Sequence, residues 1–582
     1  MSKHELSPAP LPPAKRARAL SGSASSSGVS RLLTFDNSIY DELVLCIFSH
    51  LSWVDLCAAQ ATSRNWARLA SDNALWREQY LLVFGRTRLR GTRGFIPRSD
   101  GRETKPLPGR AKGQEYKDWK WMFRISSNWK NGRCLVENIP PPISPRPALH
   151  ALEQSYQTHL LMAGPLTVVA SSQPTTTPEL VVTGFVDGRT CKIPCQSIDS
   201  GTYSESHITT LALDQSPPAS GSTIRVAAVL STGEIAVHAF NHSSPEDHTC
   251  FLRYKPSTNS PRTAPIVNAV YHHPLLITLS QTFTLSLYDL SYGAFRTTQS
   301  LTSFTSFPPT SLVLSTPTST TYKLVVAYAI PVYPAHWSVG ATELIISSRS
   351  IQQPQSTTTS AFGISPEARF SQNASMTVQS TRTIRSIDVP QGWIDERKLR
   401  AMREQWGRKV SQIADTQTDG KWVVLAPSDR VPYLAGYTTP HASPMPSTST
   451  SAPSSTNRQP LELMKASPMQ SETGLQLYRL TLPPQTNSIS QSPPKLTFVR
   501  TLHGQSGPVS ALALADGRCV SLAHNGSIWV WDLENGSGAE VAARDEPAIG
   551  IHSVPVKGSV VFDERRIISA LAGKVVVRRF DI

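Results

Sequence analysis

Apolar positions in the first part of the chain fall at helical spacing. Ile39, Leu43, Val44, Ile47, Phe48 and Leu51 recur every three or four residues, which places them along one side of an α-helix. Ser52 then precedes Trp53-Val54-Asp55, with a hydroxyl suited to cap a second helix that Leu56, Ala59 and Gln60 continue. A third run carries Trp66, Leu69 and Ala70 to Asp72. The pattern therefore predicts a module of three short helices over 31–84, with more apolar positions than so small a unit can bury alone. Gly91, Gly94, Pro97, Gly101, Pro106, Pro108 and Gly109 interrupt any helix after it. Helix is predicted to resume near Gly113, with Tyr116, Trp119, Met122 and Phe123 as an aromatic face.

Past about 135 the period changes from helix to strand. In 510–514 Ser, Ala and Leu alternate, Asp516-Gly517 turns the chain, and 519–523 forms a second strand. Asn525-Gly526 turns it again into 527–533, which ends in Trp531-Asp532. Asp-Gly and Asn-Gly are the pairs that two-residue hairpins favour, because both turn residues need a positive φ. Weaker copies follow the same plan at 180–184 with 189–193, 226–230 with 234–240, and 275–279 with 284–290. Others pair 323–328 with 343–346, 422–426 with 475–480, and 567–570 with 575–581. Seven hairpin units at a loose period predict a closed β-propeller over 135–582. Two stretches break the pattern, 348–418 (Gln/Ser/Thr-rich, with a basic amphipathic helix expected over 395–413) and 438–472 (nearly all Ser, Thr and Pro). Both are expected to be largely disordered, as is the Pro/Ser-rich tail 1–30. Ser365, Ser443 and Ser467 each precede a proline and are candidates for proline-directed phosphorylation.

Charge is distributed unevenly. The formal charge of the 582 residues is +14, yet 1–135 holds 22 Lys and Arg against 11 Asp and Glu. Most of that excess lies in the linker 85–134, a density that attracts phosphates or an acidic protein surface. Lys15-Arg16-Ala17-Arg18 in the tail has the form of a short nuclear-import signal. No run of eighteen apolar residues occurs, so no membrane span is expected, and the polar start of the chain is not expected to be a secretory signal.

Chemistry-bearing motifs are missing. There is no Gly-rich phosphate loop, no Gly-x-Ser-x-Gly elbow and no His-Glu-x-x-His helix. The seven cysteines are scattered, which fits a reducing compartment, nucleus or cytoplasm. Only Cys191 and Cys195 are close, with no histidine cluster nearby in sequence, so they read as packing residues and no metal or other cofactor is expected. His272, His273 and His503 stand apart from carboxylates and thiols in sequence and read as loop or core histidines.

Asp41-Glu42-Leu43, Ile47-Phe48-Ser49-His50-Leu51, Asp55-Leu56, Arg64-Asn65-Trp66 and Leu75-Trp76-Arg77 follow one another in an order and spacing that resembles the F-box. Tyr40 stands where that family usually has a proline. Asn128-Trp129-Lys130-Asn131-Gly132 is similar to the segment joining F-box to propeller in F-box/WD-repeat proteins, and 501–533 resembles one WD repeat. Gln505 and Asn525 replace the family's usual His and Asp, so the buried hydrogen-bond chain to Trp531 is expected in modified form.

The resemblance implies a multidomain fold, helical module plus all-β propeller, and a non-catalytic substrate receptor of an SCF-type cullin-RING ubiquitin ligase. It implies that Leu43, Ile47, Phe48, Leu51, Asp55, Leu56, Trp66 and Trp76 form the adaptor-binding set, some of them doubling as core. Partners would be the SCF adaptor, cullin-RING through it, and a protein target, phosphorylated or not. Family members often read phosphorylated targets with arginines at the propeller mouth, for which Arg189, Arg225, Arg518, Arg578 and Arg579 are the candidates. A WD-repeat scaffold without adaptor binding, or a nuclear nucleic-acid-associated protein, are the alternatives.

Overall fold

The computed structural model describes residues 39–91, 118–139 and 156–582, less 185–187, 196, 198–204, 217–222, 242–243, 257–263, 319, 333–335, 350–374, 388–392, 429–473, 483–492, 516 and 544–556. The expected tail 1–30, the Ser/Thr/Pro stretch 438–472 and the three Ser-Pro sites lie outside the described residues. The chain divides into two compact units between Gln79 and Tyr80.

In the first unit, helix α1 (Asp41–Ser49), α2 (Trp53–Gln60) and α3 (Arg64–Leu69) follow the predicted pattern. The Ser52 and Ser63 hydroxyls accept from the Asp55 and Trp66 amides at 3.3 and 3.1 Å, which caps α2 and α3. Leu75-Trp76 belongs to a fourth helix, α4 (Asn73–Gly91), which three-helix patterning did not anticipate. Val44, Phe48, Leu56, Ala59, Leu69, Ala70, Leu75 and Trp76 form the core of the unit. Its polar atoms are matched to orphan carbonyls. The Trp76 indole and the Gln60 amide both donate to Ala70 O, at 2.8 and 3.0 Å, and Gln79 donates to Leu51 O at 2.8 Å.

The second unit is a seven-bladed β-propeller. Its strands make seven four-stranded antiparallel sheets, six of them sequential. The seventh is composite: Ser559–Phe562, Arg566–Leu571 and Lys574–Arg579 take their fourth strand from Leu135–Ile139. A strand from the start of the unit thus closes the ring against its end, which leaves no free sheet edge at the seam. Middle strands are covered on both faces by neighbouring blades and read as unbroken apolar runs, as in Leu275–Ser280 and Trp422–Pro427. Polar groups on and beside the inner strands stitch blade to blade. Asn268 donates to Thr310 O (2.8 Å), Ser311 to Gln417 (3.0 Å), the Leu512 amide to Asp415 (2.8 Å) and the Gly558 amide to Ser510 (2.7 Å).

All seven predicted hairpins are blade strands, with two differences from the sequence reading. In blade 1 the strands Thr158–Ala163 and Leu166–Ser171 come first, so the hairpin predicted at 180–193 is the outer half of its blade. The stretch 348–418, expected to be largely disordered, contributes Ser375–Arg385 as the outer strand of blade 4 and Ile413–Thr418 as the inner strand of blade 5. Its Thr- and Ser-rich composition suits an outer strand, which has only one covered face. The basic helix is present as α6 (Glu396–Trp406), after α5 (Trp119–Asn131) in the linker.

In blade 6 the modified hydrogen-bond chain stops short of the tryptophan. Ser521 donates to Gln505 Oε1 and Gln505 Nε2 to Ser527 (3.4 Å), while Asn525 turns aside to Ser506 O (3.0 Å). The buried Trp531 indole nitrogen has no partner among the described residues.

Candidate functional site

α1 has two opposite faces. Val44 and Phe48 point into the core, and Phe48, 2% exposed, meets the edge of Trp66 at 5.5 Å. One position before each, Leu43 and Ile47 stand 56% and 45% exposed on the other side, in line with Tyr40. At the start of α2, Trp53 and Val54 are exposed as well. Five large apolar side chains on so small a unit are more uncovered surface than a lone domain ordinarily carries.

The predicted adaptor-binding set therefore splits. Leu43 and Ile47 are surface residues. Phe48, Leu56 and Trp76 are buried and hold the module together, so they offer no surface to a partner. Leu51 and Trp66 are half-buried. Asp55 is exposed and accepts from the Ser52 hydroxyl at 2.7 Å while its own amide is capped by it. Tyr40, Trp53 and Val54 are exposed beside Leu43 and Ile47 and were not in that set. Val54 departs from the helical spacing of the core, whereas Trp53, three residues before the buried Leu56, follows it.

In the propeller unit, the Asn-Trp-Lys-Asn-Gly string fastens α5 to blades 6 and 7. The Trp129 ring stacks on Phe580 and donates to Glu564 O at 3.0 Å, and Asn128 donates to Phe580 O at 2.8 Å. Arg124 reaches Asp581 O at 3.1 Å. At the other side of α5, Tyr80 and Phe84 of α4 pack against Trp119 and Phe123 with centroids 5.5 and 5.3 Å apart.

In a blade that runs up and down, the first-to-second and third-to-fourth strand turns share one end. All five candidate arginines lie at that end, the one α5 occupies, and they do not converge. Arg189 is exposed in blade 1. Arg225 pairs with Asp214 at 3.5 Å and lies over Phe251. Arg518 lies over Trp129. Arg578 is buried and donates to Ser569 at 3.0 Å. Arg579 bonds Asp581 and Glu137 at 3.2 and 3.4 Å. Four of the five are thus engaged in packing or pairing, and no shared anion pocket forms among them. Arg566, unforeseen in sequence, is also structural: it bonds Asp563 and the carbonyls of Gly164 and Pro165, joining blade 7 to blade 1.

Cys195 and His238 meet in the core of blades 1 and 2, Sγ to Nε2 3.5 Å. Burial pushes the thiol up to about 12 and the imidazole down to about 4, so both are neutral near pH 7 and neither is primed for nucleophilic or redox work. His273, which stands apart from carboxylates in sequence, is brought beside one by folding. Its amide donates to Asp214 at 3.0 Å and its Nδ1 lies 3.2 Å from the Tyr271 hydroxyl. Asp214 is already shared with Arg225 and the Ser216 amide, which makes the cluster a seam between blades 2 and 3. Among the described residues no group of three or more His, Cys, Asp or Glu could hold a metal, and no helix is long and apolar enough to cross a membrane.

Fold and surface together define a two-part protein, a small helical module with an uncovered apolar face and a propeller with an anchored linker helix. Known proteins point the same way. Residues 41–82 match the F-box-like family, and 168–406 match the F-box protein pof12 beta-propeller family. The chain thus joins an F-box-like module to a propeller of the type carried by F-box proteins. It is 32% identical over 123 residues to a protein of Arthroderma otae named "Probable E3 ubiquitin ligase complex SCF subunit sconB", and 29% identical over 123 residues to its namesake in Arthroderma benhamiae. Each match covers 18% of this chain and 18% of the relative. Among solved structures, the Cps50 (Swd1) propeller domain of Myceliophteria thermophila is 9% identical, with 74% of this chain and 98% of that one covered and a TM-score of 0.34.

Proposed function

We propose that this protein is a substrate-receptor subunit of an SCF-type ubiquitin ligase. The apolar face of Tyr40, Leu43, Ile47, Trp53 and Val54 docks on the adaptor, and the propeller binds the protein to be ubiquitinated. The observation that carries the reading is that this uncovered face lies on the stretch matching the F-box-like family. Ubiquitin transfer then belongs to the partners. The receptor's contribution is positional, since holding a target lysine near the thioester replaces a bimolecular encounter with a local one. Nucleus and cytoplasm, both reducing, are the proposed sites of action.

The test is co-purification of the full chain with recombinant adaptor and cullin. Wild type is expected to capture both, and Leu43→Glu/Ile47→Glu to capture neither while melting at the same temperature. Absence of capture by wild type overturns the proposal.

A further inference from the structure

The end of the propeller opposite α5 carries the turns between second and third strands and the connections from one blade to the next. At blades 3 to 5 it has an unusual surface. Blade 4 is taller than its neighbours, with strands Thr321–Val332 and His336–Arg349 that run on past the sheet. Beside this hairpin lies the blade 4-to-5 connection, including Trp393, Ile394 and α6. Phe304, also exposed, sits in the preceding blade 3-to-4 connection.

The connection is anchored at its far end. Val410 exchanges both backbone hydrogen bonds with Trp337 (2.7 and 2.9 Å), Arg408 lies over Phe498 at 4.4 Å, and Gln476 donates to Arg408 O at 2.9 Å. Met402 and Trp406 are half-buried and define the inner side of α6. Its outer side presents Arg397, Arg400 and Arg403. Acidic residues here are already engaged: Asp395 caps the helix at the Lys398 amide (2.7 Å), Glu396 pairs with Arg400 and Glu404 with Arg408, both at 3.7 Å. Of six basic and three acidic residues over 393–409, Arg397 and Arg403 pair with no carboxylate among the described residues. At the near end Trp393 stands 87% exposed, its carbonyl held by Lys398 Nζ at 3.1 Å, with Ile394 next to it.

We propose that Trp393, Ile394 and the outer side of α6 form a docking surface for an acidic segment of a target protein that carries apolar side chains. The reading rests on the receptor role proposed above and names the class of target. Trp393 supplies the apolar anchor and Arg397, Arg400 and Arg403 the complementary charge, a pairing of an aromatic with arginines that recurs at the energetic centres of protein interfaces. A lipid surface fits less well. Met402 and Trp406 are half-buried, and Leu399 is the one large apolar side chain exposed within α6, too little for an apolar stripe laid into a bilayer interface.

The test uses the full chain without adaptor, and as probe a fluorescein-labelled peptide of repeated Glu-Glu-Phe-Asp-Leu, followed by anisotropy. Binding is expected to weaken with salt and to be absent for the Lys-for-Glu peptide. Trp393→Ala is expected to lose about tenfold in affinity or more, as an anchor aromatic does, and Arg397→Glu/Arg403→Glu to abolish binding. These positions are exposed, so unchanged melting curves are expected for both variants. Leu43→Glu/Ile47→Glu is expected to bind the peptide as wild type does, which separates failure here from failure of adaptor docking. Absence of peptide binding, binding indifferent to the Trp393 and Arg changes, or preference for phosphatidylserine vesicles over the peptide would each overturn the proposal.

Discussion

Trp129 lies flat on Phe580, ring centroids 4.1 Å apart and planes 17° from parallel, so the linker helix is seated on the residue that follows the last strand of blade 7. The stack is backed by Ile125, Val541, Val560 and Ile567 in one apolar cluster. Removing the ring in Trp129→Ala is expected to lower unfolding stability of the propeller unit by about 3 kcal/mol, the scale for deleting a buried large aromatic. Trp129→Phe keeps an aromatic stack but loses the donor to Glu564 O and part of the packed ring, for about 1–2 kcal/mol. Urea unfolding followed by circular dichroism distinguishes these. Equal losses in the two variants would mean that the hydrogen bond, not the stack, holds the helix.

Gly132 ends the same helix in the left-handed region, φ +65°, and a Cβ there would come within 2.5 Å of Glu540 O. A side chain meets both backbone strain and an immovable carbonyl in blade 6. Gly132→Ala is expected to cost about 2 kcal/mol or more. A variant as stable as wild type in the same unfolding measurement would refute the close approach.

Neighbouring positions on α1 should respond in opposite ways. Leu43→Ala/Ile47→Ala removes uncovered side chains, and is expected to weaken adaptor binding by about ten- to a hundredfold with the melting temperature unchanged. Phe48→Ala leaves a cavity beneath Trp66 and is expected to destabilise the module by about 3 kcal/mol. Isothermal titration beside thermal melts reads both. Affinity that falls for Phe48→Ala alone would place the docking surface elsewhere.

That contrast also marks what the sequence could reveal. Helical spacing grouped Leu43 with Phe48, because periodicity reports that a side is apolar and not whether the chain itself covers it. The hairpins were legible where turn residues are diagnostic, as at Asn525-Gly526, where Gly526 takes a positive φ. The first two strands of blade 1 were overlooked because the hairpin after them looked like a unit in itself. Ser375–Arg385 was hidden by composition, since an outer strand needs few apolar residues. The candidate arginines failed for a different reason. Asp214 and Glu137, which engage Arg225 and Arg579, sit on or beside the neighbouring strand of the same blade, and such pairing across a sheet leaves no local pattern; Asp581, two residues past Arg579, adds a second carboxylate.

His238, sealed in the core of blades 1 and 2 against Cys195, sets a pH limit on the propeller. Burial lowers its pKa from the usual 6.5 to about 4, so folding favours the neutral ring. Above pH 6.5 the ring is neutral folded and unfolded, and the full stability is present. Below it the unfolded chain takes up a proton that the folded one refuses, so stability falls with pH and levels off near pH 4. The loss from this residue is on the order of 3 kcal/mol across that window. His238→Gln is expected to start less stable, having lost a shaped core residue, but to show a shallower decline between pH 6.5 and 4. Urea midpoints measured across that range decide it: parallel curves for wild type and variant would mean that His238 takes up its proton within the fold.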